Sequence, residues 1–124
     1  MKQIHTSHAP APFGPYSQAV RVSNLVFLSG QIPATPDGRI LSGSIKEQTL
    51  QVLENIKAIL AAEGLSLKDV VKTTIYLTDL SMFQEVNALY GEYFSPPYPA
   101  RTTVGVKSLP KGVDIEMDVI AVVE

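Results

Sequence analysis

The period at which apolar residues recur changes several times along the chain, and each change marks an element. Val52, Ile56 and Ile59 return at helical spacing with Leu53 and Leu60 beside them, which predicts a helix over residues 45 to 63. Ser44 and Glu47 form a capping-box pattern at its start, and Gly64 suits its C-terminal end. A second capping-box pattern, Ser81 with Gln84, opens another helix, whose Phe83, Val86, Tyr90 and Tyr93 share a face until Pro96-Pro97 stops it. Between the helices, Val71, Thr73, Ile75 and Leu77 alternate with Val70, Lys72, Thr74 and Tyr76, and the β-branched content favours a strand over 70 to 78. Leu25-Val26-Phe27-Leu28 reads as a buried strand, with Ser17 to Val22 pairing to it as a hairpin around Ser23-Asn24. Arg101 to Val106 and Val113 to Val123 are further strands, separated by the turn-like Pro110-Lys111-Gly112. The order β, β, α, β, α, β, β predicts an α+β fold with a five- or six-stranded sheet.

Two helices cover only one face of such a sheet. In the last strand Val113, Ile115, Met117, Val119, Ala121 and Val123 lie on one side, yet Ile120 and Val122 on the other are apolar too. Strands apolar on both faces are normally covered on both. No element of the chain remains for the second face, so another subunit is expected there; the rival reading is an exposed run of strand-forming residues.

Composition narrows the classes of function. The 124 residues suit one domain over 1–124, and 45% hydrophobic against 18% charged is a globular balance. No window approaches the ~20 apolar residues of a membrane span, and the start lacks the apolar stretch of a signal peptide, so a cytoplasmic protein without a membrane partner is expected. With no cysteine, disulfides, thiolate chemistry and cysteine-held zinc are excluded. Ten Lys and Arg against twelve Asp and Glu leave a net charge of −2 with no basic stripe, which argues against nucleic acid as the main partner.

Phosphate-cradling and dinucleotide glycine loops are absent, and Ser29 lies in Leu-Ser-Gly-Gln, not in a nucleophile elbow. His5 and His8 precede a proline-rich stretch without a carboxylate nearby, so no metal site is assigned. Ala9 to Tyr16, with three prolines and Gly14, reads as a stiff extended segment ending in a turn that fixes Tyr16. Arg101 follows Pro99 at the start of a strand. A guanidinium held there either grips a carboxylate through two parallel hydrogen bonds or pairs with an acidic neighbour as a structural element. Asp114, Glu116 and Asp118 occupy alternate strand positions, which places three carboxylates on one face. Such a row is a solvated surface or, if poorly solvated, a place where one acid holds its proton more tightly.

Several segments in order carry a resemblance over nearly the whole chain. They are Gly14-Pro15-Tyr16-Ser17-Gln18-Ala19, Ser29-Gly30-Gln31-Ile32-Pro33, Gln48-Thr49 with Asn55-Ile56-Lys57, Val86-Asn87, Pro99-Ala100-Arg101, and Leu109-Pro110 leading to Ile115-Glu116-Met117. Together they resemble the RidA (YjgF) family of imine and enamine deaminases. The resemblance implies a chorismate-mutase-like α+β fold with two helices on one face of a mixed sheet. It also implies a homotrimer with a central barrel core and three ligand clefts between subunits. By the same resemblance Arg101 binds the substrate carboxylate and Glu116 positions or activates water. Tyr16, Ser29, Gly30, Asn87 and Pro110 then line the cleft, some of them from the adjacent chain. Many members carry cysteine where this chain has Thr103, a substrate-binding position at which the change alters pocket shape and leaves the chemistry intact.

The implied substrates are small imino and enamino acids such as 2-aminoacrylate and 2-aminocrotonate, hydrolysed without a cofactor to a 2-keto acid and ammonia. A non-catalytic module that binds keto acids or steadies a partner protein is the alternative. Ribonuclease or translation-inhibitor activity, also attached to the family, is a third.

Overall fold

In the computed structural model, which covers residues 1–124, the chain reverses at Ser23-Asn24, where Ser23 takes φ 56°. This turn joins β2 (Ala19–Val22) to β3 (Leu25–Leu28) as the expected antiparallel hairpin, with Ala19 opposite Leu28 and Val22 opposite Leu25. A short strand, β1 (Lys2–Ile4), pairs with the outer edge of β2. The sequence reading missed it, since three residues are too few to show a period. Lys2 and Arg21 both reach Glu63, at 2.9 and 3.0 Å, and tie this edge to the end of the first helix.

That helix, α1 (Ile45–Ala61), stops two residues short of the expected end, and Gly64 closes it at φ 73°. Ser44 Oγ accepts the Glu47 amide at 3.2 Å, which is one half of the capping box. The second helix, α2 (Phe83–Tyr93), starts differently from expectation. Asp79, two residues ahead of Ser81, takes the Ser81 amide at 2.9 Å and opens a 3-10 turn over Leu80–Met82, so Ser81 never caps α2. The reciprocal box forms instead at Ser66 and Asp69, just before β4 (Val70–Leu77).

The remaining strands are β5 (Ala100–Gly105) and β6 (Ile115–Val122), and the six-stranded sheet runs β1-β2-β3-β6-β4-β5. All neighbours are antiparallel except β4 and β5, which run parallel because α2 carries the chain back between them. A bulge between Val70 and Lys72 turns Val70 inward and leaves Val71 exposed, which inverts the expected alternation at that point only. Both helices pack on one face. There Val52, Ile56, Leu60, Ile75, Leu77, Ile115, Met117 and Val119 join one core of 20 buried residues.

The opposite face is open in the single chain. β6 alternates buried and half-buried residues along its length, and Val22, Leu25, Phe27 and Val104 are more than a third exposed. Leu25-Val26-Phe27-Leu28, expected as a wholly buried strand, therefore buries only Val26 and Leu28 within this chain. Three buried amides tie down the loops beside the sheet. Gln18 binds Thr6 and Pro10, Asn55 holds the Ala34 carbonyl, and Gln48 bridges Gly43 and Asp114.

Candidate functional site

After β3 the chain keeps alongside β6 for two more residues. Gln31 and Met117 exchange both backbone hydrogen bonds, at 2.8 and 3.1 Å, which sets Gly30 directly against Glu116. A cavity of about 460 Å³ opens there, between the strap Pro10–Tyr16, the Ser29–Ile32 segment and the turn at Pro110. Tyr16, Ser29, Gly30, Pro110 and Glu116 all line it. The Tyr16 hydroxyl accepts the Phe13 amide at 3.0 Å, which folds the strap back on itself, and Gln18 anchors the strap's start. Ser29 Oγ donates to the Ser17 carbonyl at 2.6 Å, so its hydroxyl is committed to the backbone.

Glu116 makes no hydrogen bond or ion pair within the chain, and its carboxyl is pushed above the usual range by burial and, less, by the nearby Asp118 charge. The expected row of three acids is divided. Asp114 is bound by Gln48 and Thr78, Asp118 accepts the Tyr76 hydroxyl at 2.9 Å, and only Glu116 is left uncommitted.

Arg101 lies elsewhere. It pairs with Thr73 across β4 and β5, so it shares the helix-covered face with Thr73. Its guanidinium carbon sits 4.8 Å from the Tyr90 ring centroid and 5.4 Å from that of Phe83. Tyr90 is itself fixed by a 2.9 Å hydrogen bond to Thr73. None of the three ion pairs in the molecule involves Arg101, so the structural alternative of an acidic partner is not realised in this chain. Asn87 is exposed on α2, on the helical stripe that runs from Phe83 to Tyr90. Thr103 follows Arg101 on the same face of β5, and its hydroxyl is buried without a hydrogen-bond partner.

The expected site residues thus fall into two groups. Tyr16, Ser29, Gly30, Pro110 and Glu116 surround the cavity, whereas Arg101, Thr103 and Asn87 gather at the edge strand and α2. Glu116 pairs with Tyr76 on the open face while Arg101 faces the helices, so the sheet itself separates them. Sequence reasoning missed Phe13, Gln31 and Lys111 in the cavity wall. Lys111 adopts φ 62°, a left-handed conformation unusual for a side-chain-bearing residue, and its ammonium lies 5.3 Å from the Phe13 ring centroid. The Pro-Lys-Gly turn was the available signal. Phe83 and Tyr90 carry no sequence signal beyond that of a helix face.

Two substitutions test this local geometry. A Cβ at residue 30 would fall in the space held by the Glu116 carboxylate, 2.9 Å from its Cδ. Because that group ends a flexible side chain, Gly30→Ala should leave the melting temperature nearly unchanged while swinging the carboxylate away. Any activity that depends on this carboxylate should then fall roughly 10- to 100-fold, read by an activity assay beside a thermal melt.

The second concerns Glu116 itself. Its raised affinity for protons means that the folded chain favours the neutral acid. The associated stability is full below the ordinary value of 4.5 and is lost as pH rises through the higher folded value. Glu116→Gln stays neutral throughout, so it should melt higher than the parent at about pH 8 and equally at about pH 4.

Comparisons with known proteins agree with this architecture. The family model described as endoribonuclease L-PSP matches residues 6–123. A RutC family protein of Pyrococcus abyssi is 56% identical over 119 residues, covering 95% of this chain and 94% of that protein. RidA from an Antarctic Psychrobacter superposes with a TM-score of 0.96 at 47% identity, covering 99% of this chain and all of that one. TdcF of E. coli, crystallised with bound serine, gives 0.95 at 41% identity over the full length of both chains. No helix is long and apolar enough to cross a membrane. With the mixed sheet, its two helices on one face and these matches over almost every residue, the chain belongs to the RidA (YjgF) family and has that family's α+β fold.

Proposed function

We propose that the protein hydrolyses small 2-imino and 2-enamino acids, such as 2-aminoacrylate and 2-aminocrotonate, to 2-keto acids and ammonia, in clefts between the subunits of a homotrimer. The observation that carries this reading is the separation of two uncommitted charged groups by the sheet. A guanidinium without an acidic partner rests on two aromatic rings, and a carboxyl that burial pushes above its usual range lies on the opposite face. They can meet only when Arg101 of one copy approaches Glu116 of another. The exposed apolar residues Val22, Leu25, Phe27 and Val104 supply a surface for that approach. Three copies related by rotation would close such a head-to-tail contact into a ring.

In the cleft Arg101 holds the substrate carboxylate through its planar fork, with Asn87 and Thr103 beside it. Tyr16, Ser29, Gly30 and Pro110 shape the facing wall. Protonation of the enamine carbon gives the imine. Water then adds to C2, and the carbinolamine expels ammonia as the C–N bond breaks, leaving the ketone. Glu116 positions the water and handles its proton, and an acid whose affinity for protons is raised suits a group that must both accept and return one. E. coli TdcF with bound serine supports a ligand of amino-acid size, since it is a close structural relative. Absorbance assays on freshly generated 2-aminoacrylate test the proposal: turnover should be saturable and exceed the buffer rate, and a flat response would end it.

The family model's description keeps one other reading in view, cleavage of RNA. Net charge −2, and two histidines that lie outside the cavity, count against it. RNA cleavage that survives substitution of both Arg101 and Glu116 would revive it.

A further inference from the structure

A second cavity, about 630 Å³, has no part in the proposed cleft. It opens between the end of α1, the turn before β4 and the proline-rich segment that leads into β5. Leu67, Phe94 and Pro99 give it an apolar wall, while Lys57, Lys68 and Glu92 stand around it. Lys57 is occupied, 3.6 Å from Glu54 and above the Tyr93 ring. The Lys68 ammonium and the Glu92 carboxylate have no ion-pair or side-chain hydrogen-bond partner, although both border the same space. One free cation, one free anion and an apolar wall complement a molecule that carries a carboxylate, an ammonium and a hydrocarbon side chain.

The cavity also adjoins the mounting of Arg101. Phe94, only 4% exposed, forms part of its wall and stacks on Tyr90 at 4.3 Å between centroids. Tyr90 in turn carries the Arg101 guanidinium, and Pro99 precedes Arg101 by two residues. Two short routes therefore run from the cavity to the arginine, one through stacked rings and one along the backbone.

From these contacts we propose that this cavity is a regulatory site for a free α-amino acid with an apolar side chain, whose carboxylate binds Lys68 and whose ammonium binds Glu92. Occupancy pushes on Phe94 and Pro99 and so resets the position of Arg101. The binding claim stands apart from the deaminase reading, and the coupling claim rests on it.

Calorimetry with L-leucine, on the Arg101→Ala protein, separates this site from the cleft. Saturable binding is expected there, weakened roughly tenfold or more by adding Lys68→Glu. Adding Glu92→Gln should weaken L-leucine similarly, yet leave the already poor binding of 4-methyl-2-oxopentanoate, which lacks the ammonium, unchanged. No saturable heat up to roughly 10 mM L-leucine would overturn the site, as would binding indifferent to Lys68→Glu. Equal affinity for the keto acid would overturn the amino-acid class. In the parent protein, L-leucine should shift the KM for 2-aminoacrylate at least about twofold, and should not do so in Lys68→Glu. A KM unmoved by saturating L-leucine would overturn the regulatory role. If no imine is hydrolysed at all, the deaminase reading fails, and the calorimetric result still decides whether the cavity binds.

Discussion

Replacing Arg101 with alanine is expected to cut kcat/KM for 2-aminoacrylate by roughly 10- to 100-fold, since a charged hydrogen-bonding partner of about 1.5–3 kcal/mol is lost from the transition state. The fold should survive. Arg101 is only part-buried and joins no ion pair, so what it loses with its side chain is contact with Phe83 and Tyr90. Arg101→Lys is the sharper variant. It keeps the positive charge above the rings but cannot present two parallel donors to a carboxylate, and it should fail nearly as badly as alanine. Steady-state rates paired with thermal melts measure both. Full imine hydrolysis by the alanine variant would remove Arg101 from the mechanism.

The second large effect comes from mixing variants. Arg101→Ala and Glu116→Gln should each lose most of their activity alone. If every site takes its arginine from one copy and its glutamate from the next, each mixed trimer regains one intact site. Equal amounts assorted at random then restore about a quarter of the sites, whichever variant is in the majority within a given trimer. Co-refolded or co-expressed mixtures, assayed per chain, read this directly. Sites built within one chain would regain nothing on mixing, and that result would disprove the shared cleft.

Much of this arrangement was legible in the sequence wherever one residue's neighbours decide its fate. The spacing of Val52, Ile56, Ile59 and Leu60 gave α1, and the alternation through Ile115, Met117 and Val119 gave β6 together with the outward direction of Glu116. The family resemblance brought in Tyr16, Gly30 and Asn87, which no local pattern would have selected. What stayed hidden depends on distant pairings. Nothing in Asp114-Ile115-Glu116 signals that Asp114 answers to Gln48, 66 residues away. The aromatic residues under Arg101 read as helix core because their spacing is the same in either role. The order β3-β6-β4 brings Gly30 against Glu116, and that order follows from long-range strand pairing that local periodicity does not encode.

One of the three buried amides, Gln18, explains why the cavity has a wall at all. Residues 11 to 16 form no helix or strand, and the strap they make is held by Gln18 and by its own Tyr16. A regular element would have fixed that wall more firmly, but at a spacing set by the backbone and not by the ligand.

The placement of Arg101 and Glu116 on opposite sides of one sheet reaches beyond geometry. If the cleft is shared as proposed, a solitary chain carries half of each reaction centre and has no basal turnover to regulate. Output per molecule would then climb with the amount of protein synthesised and collapse on dilution, so a cell with few copies would possess the polypeptide without possessing the reaction.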